Sequence, residues 1–189
     1  RPLLTIAIPT YNRAVYLRQS LEALLPQLGG HPEVELLISD NASPDSTLCV
    51  IQAFRERGLC LIHKRNEVNI GADANFLQCY ELARGEYVWI VGDDDIIAAG
   101  AVAQILDTLE TRKYDLVGLG SYGFSGDSAP PPRKLRGKFV EFANGTDYAL
   151  RVYTGLAFIT GNILRKERIE SEPHAQFSDF IGTNLVHLS

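Results

Sequence analysis

The stretch Tyr87-Val88-Trp89-Ile90-Val91-Gly92-Asp93-Asp94-Asp95 leaves this chain few ways to fold. Its apolar run, Tyr87 to Val91, is rich in β-branched and aromatic residues and lacks polar alternation. Such a run is too short for a free-standing helix and reads as a strand covered on both faces of a parallel sheet. The run ends in three adjacent carboxylates, which repel one another and are costly to leave unpaired in a dry site. A cation therefore belongs beside them. Hard divalent ions such as Mg2+ or Mn2+ take carboxylate oxygens, with water and phosphate oxygens completing the shell. The competing expectation is a solvated acidic turn in which Asp95 caps a helix that starts near Ala98.

The rest of the first two thirds repeats one pattern. Leu3 to Ile8 predicts a strand stopped by Pro9, followed by the polar loop Pro9-Thr10-Tyr11-Asn12-Arg13 and a helix from about Ala14 to Leu25. Val34 to Ser39 predicts a second strand ending at Asp40. The loop Asn41-Ala42-Ser43-Pro44-Asp45-Ser46 is dense in turn and N-cap residues, and a helix follows to about Arg57. A third strand is expected at Leu59 to His63, a helix from Ala72 to Ala83, then the acidic strand, a helix from Ala99 to Thr111 and a fifth strand at Leu116 to Leu119. Strands alternating with helices predict one α/β domain, Rossmann-like, with a mostly parallel sheet flanked by helices. Sheets of that kind bind ligands at the carboxyl ends of their strands, where Thr10, Tyr11, Asp40 and Asp93 to Asp95 all fall.

Beyond Gly120 the periodicity weakens. Ser121 to Arg136 predicts an exposed loop, Lys138 to Phe142 a strand, Thr146 to Tyr153 a short helix and Phe158 to Leu164 another strand. Lys166 to Gln176 reads as a loop, and Phe177 to Leu188 has helical spacing. Residues 1–120 are thus expected to form the ligand-binding half and residues 121–189 the second half of one domain.

Composition narrows the partners. Net charge is −5, with no Lys/Arg run and no interleaving of basic and aromatic residues, which argues against a nucleic-acid groove or a polybasic membrane patch. No apolar stretch has the length of a membrane span and nothing at Arg1 reads as a signal peptide, so a cytoplasmic protein is expected. Cys49, Cys60 and Cys79 lack metal-type spacing and are expected to be small core residues in a reducing compartment. Methionine is absent even at position 1, so the chain is expected to be trimmed from a longer protein.

Read together, Ile8-Pro9-Thr10-Tyr11-Asn12-Arg13, Ser39-Asp40-Asn41-Ala42-Ser43-Pro44-Asp45, Asn69-Ile70-Gly71-Ala72-Asp73-Ala74-Asn75 and Gly92-Asp93-Asp94-Asp95 resemble the family 2 glycosyltransferases in order and spacing over about Leu3 to Leu119. The second half follows more loosely. With Phe76 and the Gly-Asp-Asp-Asp loop, the third motif looks closest to transferases that decorate bacterial surface polysaccharides, abequosyltransferase-like members included. The resemblance implies a nucleotide-diphospho-sugar transferase fold, Mn2+ or Mg2+, and transfer of a sugar from a nucleotide-diphosphate donor to a hydroxyl with inversion. The implied acceptor is a bacterial surface glycan or a lipid-linked glycan, with no nucleic acid and at most peripheral contact with the inner face of the membrane.

Residue by residue, the resemblance assigns Pro9, Thr10, Tyr11 and Arg13 to the nucleotide sugar, with Tyr11 against the base. It gives Asp40 a contact with the nucleobase, and Gly71, Asp73 and Asn75 a place by the nucleotide at the start of a helix. Asp94 and Asp95 are the expected metal ligands, Asp95 alternatively an acceptor-side group, and Asp93 is expected at the ribose or a metal-bound water. The family usually carries an Asp where this chain has Gly92. Its late Glu-Asp pair is here Ser178-Asp179, which makes Asp179 the expected general base. The plainer expectations are that Asp40 caps the next helix, Tyr11 packs, Gly71 serves a turn and Asp179 is a helix-start charge. A sugar nucleotidyltransferase would want a glycine-rich basic loop after the first strand, and a signalling receiver domain an acidic pair there. A catalytically inactive nucleotide-binding module stays open.

Overall fold

Alternation along three strands decides how the layers pack. In β1 (Leu4–Thr10), β2 (Val34–Asp40) and β4 (Tyr87–Ile90), Leu4, Ile6, Ile8, Leu36, Ile38, Tyr87 and Trp89 enter one core, which continues to Val91. The residues between them, Ala7, Leu37, Val88 and Ile90, enter a second core on the opposite face. The period of two places successive side chains on opposite faces, and both faces are covered. Helices α1 (Ala14–Leu28), α2 (Thr47–Glu56) and α4 (Ala101–Thr111) supply the larger core, and α3 (Ala72–Leu82) closes the smaller through Phe76, Cys79 and Tyr80.

The computed structural model describes residues 1–121, 123, 139–152 and 159–171, with side chains to residue 168. Its one sheet has the order β3-β2-β1-β4-β6-β5, with β3 at Ile62–Arg65, β5 at Leu116–Gly118 and β6 at Asn162–Arg165. Pairings along β3-β2-β1-β4 are parallel, whereas β6 runs antiparallel to both β4 and β5. The mostly parallel α/β sheet is therefore as expected, with a strand from the second half of the chain inserted between β4 and β5. The chain leaves β1 toward β2 and β3 and later returns to the other side of β1 with β4. That reversal makes the β1/β4 boundary the topological switch point.

Pro9 marks where the crevice opens. The β1–β4 ladder ends at Ala7 and Ile90, with the Val91 N–H donating to the Ala7 carbonyl at 2.9 Å. Backbone groups alternate sides along a parallel strand, so the nitrogen of Pro9 faces the side that β4 has already left and no ladder bond is lost there. Thr10 still pairs with Asp40 on the β2 side.

Several local expectations are corrected. Phe139 to Phe142 form no strand, because their side chains dock singly: Phe139 and Phe142 meet Tyr114 and Tyr148 edge-on at 5.7 Å, and Glu141 takes Arg112 and the Tyr114 hydroxyl. The short helix expected next is α5 (Gly145–Val152), and the strand expected from Phe158 begins later, after a 3₁₀ turn at Ile159–Gly161. Lys166–Ser171, expected as a loop, is the short helix α6, built of good helix formers. Cys49 and Cys60 are exposed, because they sit on the outer side of α2 and just before β3; only Cys79 is a core residue, and none is in a disulfide. The helix expected at Phe177 to Leu188 lies outside the described residues, as do Asp179 and most of Ser121 to Arg136.

Candidate active site

Two strand ends face each other across the switch point. Thr10, the last residue of β1, donates its hydroxyl to Asp93 Oδ2 at 2.7 Å, and both residues are buried. Three residues on, Arg13 sends Nε to Asp93 Oδ1 at 3.2 Å and a terminal nitrogen to Asp94 Oδ2 at 2.6 Å. Its guanidinium also lies over the Tyr16 ring, 4.8 Å from the centroid. A cation thus already bridges two of the three carboxylates.

The acid loop assigns each carboxylate a different setting. Asp93 is 6% exposed, and burial raises its pKa from the ordinary 3.8 to about 6 despite Thr10 and Arg13, with Asp94 and Asp95 pushing the same way. Asp94 is about half-exposed. Asp95 is raised by burial and by the neighbouring Asp94, against a hydrogen bond from Thr160. Asp95 does not cap α4, whose N-cap position is Gly100; its N–H donates to the Gly92 carbonyl at 3.1 Å and its carboxylate folds back over the loop. A Cβ at position 92, where the family usually has Asp, would stand 2.7 Å from Asp95 Oδ2 and would move that side chain from its present place.

One strand over, Asp40 is fully buried at the end of β2. Its Oδ1 accepts the Ser43 N–H at 2.8 Å and its Oδ2 the Arg65 guanidinium at 3.2 Å, with His63 Nε2 at 3.8 Å. Burial raises its pKa, but His63, Ser43 and Arg65 outweigh that, and the carboxyl ends below its usual range. Asp40 does not cap α2, whose N-cap position is Ser46; Asp45, one residue earlier, accepts from the Thr47 N–H and Oγ1 with one oxygen and from the Ala14 N–H of α1 with the other. That one side chain ties two helix N-termini together.

The remaining expected residues fall around this crevice. Tyr11 is 42% exposed, an aromatic face open to a ligand. Gly71 has φ 90 and ψ 161, a conformation almost confined to glycine, while a Cβ there would meet nothing within 4 Å. Asn75 is buried and spent on β2, accepting from Ser39 Oγ at 2.7 Å and donating to the Ser39 carbonyl at 3.1 Å. Asp73 is buried in the first turn of α3.

Three contributors went unremarked in the sequence. Asn41 joins the loops after β2 and β3, its NH2 reaching Asn69 Oδ1 at 2.8 Å and the Gly71 carbonyl at 3.1 Å. Its oxygen accepts from Asn66 Nδ2 at 3.0 Å and from the Ile70 N–H at 2.9 Å. Arg65 covers Asp40. Thr160 touches the acid loop from 65 residues away. Asn41 carries a sequence signal as the first turn-forming residue of a loop dense in them, but Arg65 and Thr160 carry no local signal.

Among the described residues no three of His, Cys, Asp and Glu gather as a metal-ligating group. The acid loop nonetheless fits a hard divalent ion: its donors are all oxygens, and Arg13 shows the cluster balanced by positive charge. Such an ion would be held by Asp94 and Asp95, with water and diphosphate oxygens completing its shell.

Comparison with known proteins finds glycosyltransferases. Over 115 residues, 60% of this chain and 34% of the relative, the chain is 41% identical to the abequosyltransferase RfbV of Salmonella typhimurium. It is 24% identical over 150 residues, 78% of the chain and 46% of the relative, to the glycosyltransferase GlyG of Streptococcus pneumoniae. In fold it is similar to S. aureus TarS residues 1–349, with a TM-score of 0.69 and 22% identity over 86% of this chain and 47% of that one. It is also similar to the mannosyltransferase PcManGT of Pyrobaculum calidifontis, solved with GDP-Man and Mn2+, at a TM-score of 0.61 and 18% identity over 90% and 46% of the two chains. The chain thus spans between a third and a half of the length of these relatives. Residues 5–170 match the model of glycosyl transferase family 2, and the chain belongs to that family.

Proposed function

We propose that this chain is the donor-binding part of a metal-dependent, inverting glycosyltransferase. It moves a sugar from a nucleotide diphosphate to a hydroxyl of a bacterial surface glycan or lipid-linked glycan. The observation that carries the reading is the junction of Thr10 and Arg13 with Asp93 and Asp94 across the β1/β4 switch point, one strand from Asp40. Relatives named for sugar transfer, among them an abequosyltransferase, and TarS solved with UDP-GlcNAc support a nucleotide-sugar donor. No helix among the described residues is long and apolar enough to cross a membrane. We place the protein in the cytoplasm, with at most peripheral contact with the inner face of the membrane.

Each residue then has a task. Tyr11 stacks on the base, and Asp40, kept ionised by its neighbours, accepts from a base N–H once Arg65 moves aside. An ionised acceptor discriminates because a wrong base leaves it unpaired. Pro9 and Thr10 line the crevice floor, and Thr10 holds Asp93 in place. Gly71, Asp73 and Asn75 shape the nucleotide-facing start of α3. Arg13 exchanges the carboxylates for a diphosphate oxygen. A bound Mn2+ or Mg2+ supplies stabilisation of the charge on the departing diphosphate. Asp179, outside the described residues, takes the proton of the attacking hydroxyl.

The test is a thermal-shift panel of UDP, GDP, CDP and dTDP, each with and without Mn2+ or Mg2+. One nucleotide with metal should stabilise the protein by about 2.7 kcal/mol at a hundred times its dissociation constant. An equal response with chelator present overturns the metal role, and nucleotide binding without turnover of any donor sugar leaves an inactive binding module.

A further inference from the structure

Three carboxylates in a row share one loop, yet only Asp93 and Asp94 are bonded to Arg13. Asp95 belongs to a different partner. Thr160 Oγ1 donates to Asp95 Oδ2 at 2.5 Å and accepts the Gly92 N–H at 2.8 Å. A hydroxyl has one hydrogen to give. With the Gly92 N–H filling an acceptor position, the chain of bonds runs in one direction, from amide to hydroxyl to carboxylate, and each bond polarises the next.

The position of that hydroxyl follows from the sheet. β6 lies antiparallel to β4 with Ile163 opposite Trp89 and Leu164 opposite Val88. Continuing the same register past the end of β4 sets Thr160 opposite Gly92. The Thr160 carbonyl accepts the Trp89 Nε1–H at 2.8 Å, which anchors residue 160 to β4 independently of its hydroxyl. Thr160 itself is 7% exposed. On the other side, the missing side chain of Gly92 leaves the space that Asp95 Oδ2 occupies. Among the described residues the side-chain hydrogen bond to Asp95 falls on Oδ2, and the Gly92 N–H also favours the ionised carboxylate.

We propose that Thr160 is a positioning residue that, with Gly92, clamps Asp95 by one oxygen and so presents the other to the metal–diphosphate group. The inference rests on the functional reading above. It gives the two expected ligands different settings: Asp95 Oδ2 is held by a neutral hydroxyl, whereas Asp94 Oδ2 is held by the Arg13 cation, whose charge opposes that of a metal ion. It also gives the second half of the chain a part in the donor site, through the 3₁₀ turn that leads into β6. Removing a hydrogen bond that orients a metal ligand typically lowers metal affinity by 10- to 100-fold.

The experiment compares wild type with Thr160→Val, which keeps the branched shape without the hydroxyl, and Thr160→Ser, which keeps the hydroxyl. Free Mn2+ is followed by electron paramagnetic resonance in the presence of whichever of UDP, GDP, CDP or dTDP wild type binds with metal. Trp89, the sole tryptophan, reports by its emission whether the β4–β6 junction is kept. Thr160→Val should weaken Mn2+ about tenfold or more with unchanged Trp89 emission, and Thr160→Ser should stay within about threefold of wild type. Equal Mn2+ affinity in Thr160→Val and wild type overturns the clamp, and so does equal weakening in Val and Ser variants. Should Thr160→Val fail to fold, Gly92→Ala decides: its Cβ must displace Asp95 Oδ2, and undiminished Mn2+ affinity there overturns the proposal. If wild type takes up no Mn2+ with any of the four nucleotides, the functional reading falls and the clamp with it, a result distinct from a bound wild type and an equally bound variant.

Discussion

Asp93 is nearly closed off from solvent beside two further carboxylates, so its ionisation works against the fold. A folded pKa of about 6 against the ordinary 3.8 means the native state holds the proton longer than the unfolded one. The resulting stability is fully present below about pH 4 and is lost as pH rises through about 6. Two pKa units at about 1.4 kcal/mol each make that loss about 3 kcal/mol in metal-free protein. Asp40 has the opposite sign: its carboxyl lies below the usual range, so its contribution is present above that range and is lost as acid protonates it. In chelator, Asp93→Asn should therefore raise the melting temperature at pH 7 and flatten the decline between pH 4 and 7, although the lost Arg13 contact offsets part of the gain. Melting curves across that range check it, and a wild-type curve flat from pH 4 to 7 contradicts it. Asp93 was legible from the sequence as part of a charged strand end. Its difference from Asp94 was not, because burial is decided by what packs over each side chain.

The loops after β2 and β3 behave as one element although 25 or more residues separate their parts. Asn41 is 2% exposed and uses both ends of its amide to hold them together. Asn41→Ala leaves the buried Asn66 amide and the part-buried Ile70 N–H without their acceptor, and a buried group left unpaired costs about 1–3 kcal/mol. The variant should melt lower by an amount corresponding to about 2 kcal/mol and should bind nucleotide more weakly, because Gly71 loses its tether to the loop after β2. Chemical denaturation alongside nucleotide titration checks both halves, and unchanged stability would show that water replaces the amide. Here the motif was visible as Asn41 to Asp45 and Asn69 to Asn75, but its internal wiring was not. Turn residues announce a loop, whereas which loop they bond to depends on strands that only the sheet brings side by side. Similarly, the strand expected at Lys138 to Phe142 failed because an alternating pattern needs an open sheet edge, and these aromatics found ring partners instead.

At the scale of the whole molecule, donor binding and sugar transfer draw on different parts of the chain. An inverting displacement needs its base across the sugar from the diphosphate, hence away from Asp93 to Asp95. Asp179→Asn nearly preserves shape, so transfer should collapse by about 10²- to 10⁴-fold while nucleotide and metal affinity stay near wild type. Transfer within a few-fold of wild type in a coupled nucleotide-release assay would move the base elsewhere. The chain by itself determined the ladder of strands and helices, the two-faced burial of β1, β2 and β4, and the gathering of Thr10, Asp40 and the acid loop at strand ends. Those features are written in local periodicity and in where apolar runs stop. Only the tertiary structure decided that β6 enters the sheet between β4 and β5, that Arg13 bridges Asp93 and Asp94, that Arg65 covers Asp40, and that Thr160 holds Asp95. Each of those contacts joins residues 25 to 81 positions apart or inserts a strand out of chain order, and pairing at such a distance has no local pattern: it follows from register and crossover geometry, which exist only once the sheet has formed.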